Sequence, residues 1–199
     1  MTTPTTTPSL ENPILLNGGG FGKVYRISEG LVGKVPHNRW DSSKGLDVKR
    51  LKAEYNLGRD LYIGQVQVPM PFGVFGVGLA GGPEVPIYVM EYFQGIYLDD
   101  LEDYLKKQEL RRRRDLEEDK AIKLGIILPD DCELLYNPKR DKICLIDFGF
   151  CYKRGLFSRI PCSEWLTPFD RIFRNKFKLE KLTPELIVQF ERELRGDRK

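Results

Sequence analysis

Between Pro13 and Phe93 the chain passes through five short apolar runs, PILLN (13–17), KVYRI (23–27), LVGKV (31–35), FGVFGVGL (72–79) and VPIYVMEYF (85–93). Glycine-bearing breaks such as Ser28-Glu29-Gly30 and Gly81-Gly82-Pro83 separate them. Runs of this length, rich in Val, Ile, Tyr and Phe, are too short for helices and bounded by turn formers, which predicts an antiparallel sheet with tight connections. One segment breaks the pattern. From Leu46 to Leu61, the residues Val48, Leu51, Tyr55 and Leu61 recur at helical spacing among charged side chains, so one amphipathic helix is expected within the sheet region.

Beyond Gly95 the character changes. Leu98–Lys107 and a second charged stretch running to Leu124 are both helical in composition. A hairpin is then expected, with CELLY (132–136) and KICLID (142–147) joined by Asn137-Pro138-Lys139-Arg140-Asp141. Near the end, Thr183-Pro184-Glu185 places a capping hydroxyl before a proline at the first helical position, and Leu186, Ile187, Phe190 and Leu194 form one stripe. The reading is α+β, with two lobes meeting near residue 94. Residues 1–12, rich in Thr and Pro, predict a disordered tail.

Composition excludes several classes. With 32 basic and 29 acidic side chains among 199 residues, the near-balanced charge gives no reason to expect nucleic acid or an anionic membrane as partner. No apolar run approaches the ~20 residues that span a bilayer. One histidine, His37, removes mechanisms needing two imidazoles. Cys132, Cys144, Cys151 and Cys162 form no CxxC pair, and the first residues carry no secretory leader pattern, so a reducing cytoplasmic or nuclear location is expected.

Four pieces carry the chemistry. Asn17-Gly18-Gly19-Gly20-Phe21-Gly22-Lys23-Val24 lies between two strands, and its glycines let backbone amides approach phosphate oxygens; taken alone, it reads first as a flexible hairpin turn. Lys34 lies in a strand-like run, where an ammonium could meet phosphates or simply face solvent. Glu54 falls at the border of the helix's buried stripe; facing inward it needs a cation, and Lys34 is the nearest strand-borne one, whereas taken alone it reads as a solvated helix glutamate. In Ile143-Cys144-Leu145-Ile146-Asp147-Phe148-Gly149 an apolar strand delivers a carboxylate to its end, a place suited to holding Mg²⁺ on a nucleotide; alone, it reads equally as an ordinary strand-to-turn aspartate.

In this order the four pieces resemble the eukaryotic-type protein kinase family: glycine lid, strand lysine, helix glutamate, Asp-Phe-Gly. Val89-Met90-Glu91-Tyr92-Phe93 resembles that family's hinge, with Met90 as gatekeeper. The resemblance implies a kinase-like N-lobe over 13–93 and a reduced, mainly helical C-lobe over 94–199. It implies ATP and Mg as cofactors, a nucleotide site at Gly18, Gly19, Gly20, Phe21, Gly22, Val24, Lys34, Met90, Glu91 and Phe93, and metal ligands Asp147 and Glu133. A nucleotide and a protein substrate or partner are the implied partners, with Ser or Thr hydroxyls as acceptors.

The catalytic loop departs from the family's His-Arg-Asp and Asn. Matching Gly125-Ile126-Ile127 places Asp130 in the catalytic aspartate's position, with Asp131 as reserve. Matching Leu134-Leu135-Tyr136 without a gap places Leu128 there, and Glu133 where the Asn belongs. Only about 50 residues follow Asp147, with no Ala-Pro-Glu signature. The two functional readings are therefore a compact phosphotransferase and a pseudokinase, nucleotide-dependent or nucleotide-free, working through partner contacts. Arg111–Arg114, followed by Asp115, Glu117, Glu118 and Asp119, reads as a solvated helical face with i,i+4 pairs.

Overall fold

A computed structural model describes residues 14–19, 22–36, 44–78, 84–128, 132–148, 151–153 and 179–196. Residues 1–12, His37, Cys162 and the stretch around Ser158 and Trp165 lie outside them. The apolar runs form strands β1 (Ile14–Gly19), β2 (Gly22–Arg26), β3 (Leu31–Pro36), β4 (Pro71–Gly78) and β5 (Glu84–Glu91), with helix α1 (Lys44–Ile63) between β3 and β4. They make one antiparallel sheet in the order β1-β2-β3-β5-β4. Placing β5 between β3 and β4 sets Lys34 opposite Tyr88, and Leu31 opposite Glu91 at the end of β5.

Strand alternation divides the sheet into two faces. Leu31, Ile87, Val89, Phe75 and Val77 point to one side and are buried in a core shared with Ile187 and Phe190. Gly33 lies on that side too, because a Cβ there would collide with Ile87 and Ile27. Tyr88 points to the other side, where its ring meets Tyr55 of α1 edge-on at 6.1 Å. The sheet is thus covered by α1 on one face and by the C-terminal helix on the other.

That last helix, α3 (Pro184–Leu194), starts where the capping pattern places it: the Thr183 hydroxyl accepts the Leu186 amide, and Pro184 opens the first turn. Its approach is tied to the edge strand β4. Gly76 N donates to Glu180 O (2.8 Å) and Leu182 N donates to Gly76 O (3.0 Å). Phe190 then stacks on Phe72 at 4.5 Å and tilts against Phe75 at 5.6 Å. Residues 179–196, inside the range read as the C-lobe, therefore pack on the N-terminal sheet.

The rest of the chain forms a second core. A two-residue strand β6 (Ile96–Tyr97) and a 3-10 turn (Leu98–Asp100) lead to α2 (Tyr104–Lys123). The expected helix over Leu98–Lys107 is corrected here. The chain is extended at Leu101, and Asp103 caps a single 20-residue helix by accepting the Lys106 amide at 3.0 Å. Strand β7 (Ile126–Ile127) follows, then the hairpin β8 (Glu133–Asn137) and β9 (Lys142–Ile146), and β10 (Tyr152–Lys153), which pairs with β7. The short strands β6, β7 and β10 carry too little sequence to show a period of two. Leu110 and Ala121 of α2, Leu57 and Leu61 of α1, and Leu134 and Leu145 of the hairpin share this core. Cys132 and Cys151 are buried within it, and Cys144 of β9 is buried too. No helix among the described residues is long and apolar enough to cross a membrane.

The charged face of α2 carries the expected pairs. Arg114 Nε meets Glu118 Oε1 at 2.7 Å. Arg113 and Lys106 reach further, to Asp141 in the hairpin turn, at 3.1 and 3.3 Å, and Tyr136 donates its hydroxyl to the same carboxylate. These links hold the hairpin against α2.

Candidate functional site

Three chain segments meet at Lys34. Strand β3, in the interior of the sheet, presents its side chain on the α1 side, and burial leaves it 7% exposed. A buried ammonium needs compensation. Glu54, 8% exposed on α1, supplies it at 2.8 Å from Nζ, and Asp147, just past β9, lies 3.2 Å from Nζ. Burial alone pulls the lysine pKa down; the charges and hydrogen bonds of Glu54 and Asp147 outweigh it and hold the group above its ordinary value, firmly protonated.

Asp147 adopts φ +64, in the left-handed region. For a non-glycine residue this backbone costs on the order of 1–3 kcal/mol and persists where surroundings fix it. Here Phe148 is buried in the second core, its carbonyl accepts the Cys151 amide at 3.1 Å, and the carboxylate is drawn to Lys34. The strained turn aims the carboxylate at the lysine while the next side chain anchors below.

Around this triad lies a cavity of about 320 Å³. Val24, Val32 and Leu16 line it from the sheet, and Leu135 and Ile146 from the hairpin. Two layers of branched apolar side chains make a slot suited to a flat ring, while Lys34, Asp147 and Glu133 give its other side a charged lining suited to phosphate and metal. Glu133 opens β8, pairs with Ile146, and is exposed. Partial burial and the neighbouring Asp147 charge raise its pKa, with Lys34 opposing. Two carboxylates so placed are a hard oxygen donor set that a divalent cation would relieve, so the residues present fit magnesium.

The stretch from Met90 to Phe93 forms the cavity's rear edge. It is held from outside: Tyr92 N donates to Gly30 O at 2.7 Å, and the Arg26 guanidinium lies 5.1 Å from the Tyr92 ring centroid. Glu91 accepts the Met70 amide with its carboxylate at 3.1 Å and donates its own amide to Met70 O at 2.9 Å. Its side chain therefore fixes the loop before β4.

Of the residues singled out from sequence, Lys34, Glu54, Asp147, Glu133, Gly22, Val24, Met90, Glu91 and Phe93 line this one cavity. Gly18 and Gly19 lie in β1, opposite Lys23 and Gly22. Gly22 has no room for a Cβ, which would sit 2.7 Å from the Val35 carbonyl oxygen. Gly20, Phe21, Asp130 and Asp131 lie outside the described residues. Leu128, the other candidate for the catalytic position, packs against the second core. Val32, Leu135, Ile146 and Tyr97 also line the cavity and were not singled out. Strand alternation carried a signal for Val32, two positions before Lys34; nothing comparable marked Tyr97.

No protein-family model matches the chain, and no curated protein matches it in sequence. Among solved structures it is similar to the Rio2 kinase from Chaetomium thermophilum, determined as an ADP/Mg²⁺-phosphoaspartate complex, with a TM-score of 0.51 and 15% identity. The likeness covers 84% of this chain and 56% of that one, so this chain matches little more than half of the Rio2 length. The SAICAR synthase from Saccharomyces cerevisiae aligns over 95% of this chain and 93% of its own at 13% identity, with a TM-score of only 0.39. The fold of this chain is therefore protein kinase-like: an α+β arrangement in which an antiparallel sheet with its helix faces a hairpin-bearing second part.

Proposed function

We propose that the chain binds Mg-ATP in this cleft and transfers the γ-phosphate to a Ser or Thr hydroxyl of a protein substrate. The observation that carries the reading is the bridge from Lys34 to both Glu54 and Asp147 on the wall of an apolar slot. Lys34 would place its charge on the phosphates, with Glu54 holding it there. Asp147 and Glu133 would hold the magnesium, which supplies charge neutralisation on the phosphate oxygens. The base would rest over the hairpin residues Leu135 and Ile146, against the edge running from Met90 to Phe93. In the transfer, the acceptor oxygen bonds to the γ-phosphorus as its bond to the bridging oxygen breaks, ADP leaves, and the hydroxyl proton goes to Asp130, a role given to that residue by resemblance.

A second reading is a pseudokinase that binds nucleotide and acts through partner contacts. It is favoured by Leu128, which fills the catalytic aspartate's place in the ungapped register and packs into the core. Thermal stability with and without Mg-ATP tests binding, because ligand at 100 times its Kd adds about 2.7 kcal/mol. No shift at millimolar Mg-ATP would remove both readings. Transfer of radiolabelled phosphate by the wild type, and its loss in Asp130→Ala, supports the enzyme; binding with no transfer supports the pseudokinase.

A further inference from the structure

Three charged side chains are buried among the described residues: Lys34, Glu54 and Glu117. The first two belong to the cleft. Glu117 lies on α2, against the loop that follows α1, and is 6% exposed. Its two carboxylate oxygens are both engaged. Oε2 accepts the backbone amide of Gln67 at 2.8 Å, and Oε1 accepts Lys120 Nζ at 2.7 Å. Lys120 Nζ also lies 3.4 Å from the carbonyl of Gln65, which sits at φ +60 in the turn that ends α1.

The Gln67 residue is gripped from its other end as well. Its carbonyl accepts the amide of Leu145 at 2.7 Å. Leu145 lies in β9, two positions before Asp147, and the loop that carries Gln67 continues directly from the helix that carries Glu54. The flanking Val66 and Val68 are buried with Leu57, Leu61 and Leu145. A closed circuit results. Lys34 joins Glu54 to Asp147 on one side, and Gln67 joins α1 to β9 on the other, with Glu117 holding the Gln67 amide in place.

We infer that Glu117 is a positioning residue of the cleft: by fixing the Gln67 peptide between α2 and β9, it keeps Glu54 and Asp147 together on Lys34. The inference rests on the nucleotide-site reading for its consequence in binding, but the positioning itself is open to a nucleotide-independent readout. A carboxylate buried only to stabilise a loop would affect unfolding and leave the cleft of the folded protein unchanged. A positioning carboxylate acts through Glu54 and Asp147, so its effect disappears once their link to Lys34 is broken.

The test compares wild type, Glu117→Ala, Glu117→Gln, Glu54→Gln and the double variant Glu54→Gln/Glu117→Ala in the full chain. Lys34 reactivity to reductive methylation, read by mass spectrometry on folded protein, reports the triad without nucleotide. Glu117→Ala should raise it several-fold, and Glu117→Gln, which keeps an acceptor for the Gln67 amide, should restore most of the protection. The Kd for Mg-ADP should rise about tenfold in Glu117→Ala, within the range such couplings reach, with little further loss on adding the change to Glu54→Gln. Wild-type Lys34 reactivity in Glu117→Ala, or full additivity with Glu54→Gln, would overturn the inference. Should Glu117→Ala fail to fold, Glu117→Asp takes its place: it is one methylene too short to keep the Gln67 contact, and the same shifts are expected at smaller amplitude. If the wild type binds no Mg-ADP, the nucleotide reading falls alone, and the methylation comparison still decides the role of Glu117.

Discussion

Lys34 Nζ stands 2.8 Å from Glu54 Oε1, both side chains buried, although 20 positions separate them in the chain. Removing two charges from water is costly, and a buried pair is weak evidence for stability in itself. Its cost is understandable if the cleft needs a fixed ammonium. Replacing Lys34 with Met leaves Glu54 buried and uncompensated, and should cost about 3–5 kcal/mol in denaturant unfolding. The double variant Lys34→Met/Glu54→Leu should recover most of that loss, yet neither variant should gain stability from Mg-ADP. A double variant as unstable as the single would show that the buried charge is not the source of the cost.

Glu133 gives the opposite balance. Its pKa is raised in the folded protein, by partial burial first and by the Asp147 charge next. A carboxyl raised above its unfolded value contributes stability below its ordinary value of 4.5, which is lost as pH rises through the folded value. At neutral pH the ionised group therefore opposes folding. Glu133→Gln should raise the melting temperature of the ligand-free protein at neutral pH. It should also weaken Mg-dependent nucleotide binding by at least about tenfold, the scale on which changes around a metal site act. Melting curves with ADP alone and with Mg-ADP separate the two effects; a lower melting temperature in the ligand-free variant contradicts this account.

The C-terminal helix holds the outer face of the sheet through Phe190, which is 7% exposed and stacked on Phe72. Phe190→Ala should cost about 3–5 kcal/mol, the range for aromatic truncation in a packed core. Thr183→Ala removes the cap at the Leu186 amide and should cost about 1 kcal/mol. Urea titrations of both variants check these values. A Phe190→Ala variant as stable as the wild type would mean that the helix is not seated on the sheet.

Asp141 links pH to the hairpin. The Tyr136 hydroxyl first, then Lys106 and Arg113, hold its carboxyl below the ordinary 3.8. A depressed carboxyl contributes stability above the unfolded value, and that contribution is lost as pH falls through the folded one. Asp141→Asn keeps a residue tolerant of φ +46 and removes only the charge. The variant should be slightly less stable at neutral pH and should lose less stability on acidification. Melting temperatures measured from neutral to strongly acid pH check this; parallel curves for the two proteins would rule it out.

The chemistry-bearing parts of the site were legible because each lies in a short local pattern. Lys34 sits in a strand-like run, Glu54 borders the stripe containing Leu51 and Tyr55, and Asp147 ends the apolar strand that begins at Ile143. The cavity's apolar walls were less legible: Leu135 and Ile146 look like any hairpin residues until the hairpin is placed opposite Val24 and Val32. Glu117 was read as one acid on a solvated face, because along α2 it stands among charges. Its burial depends on a loop 50 positions away docking over it.

What the sequence determined by itself is most of the longer elements and most of the groups in the cleft, since strand alternation, helical spacing, caps and turns act over a few residues and are written locally. Where those elements meet was decided by tertiary structure. The return of α3 to the first sheet, the seat of Gln67 between α2 and β9, and the convergence of three charges on one cavity all depend on contacts between distant segments. Their energies come from burial and packing, and the linear order of residues does not state which surfaces will cover one another.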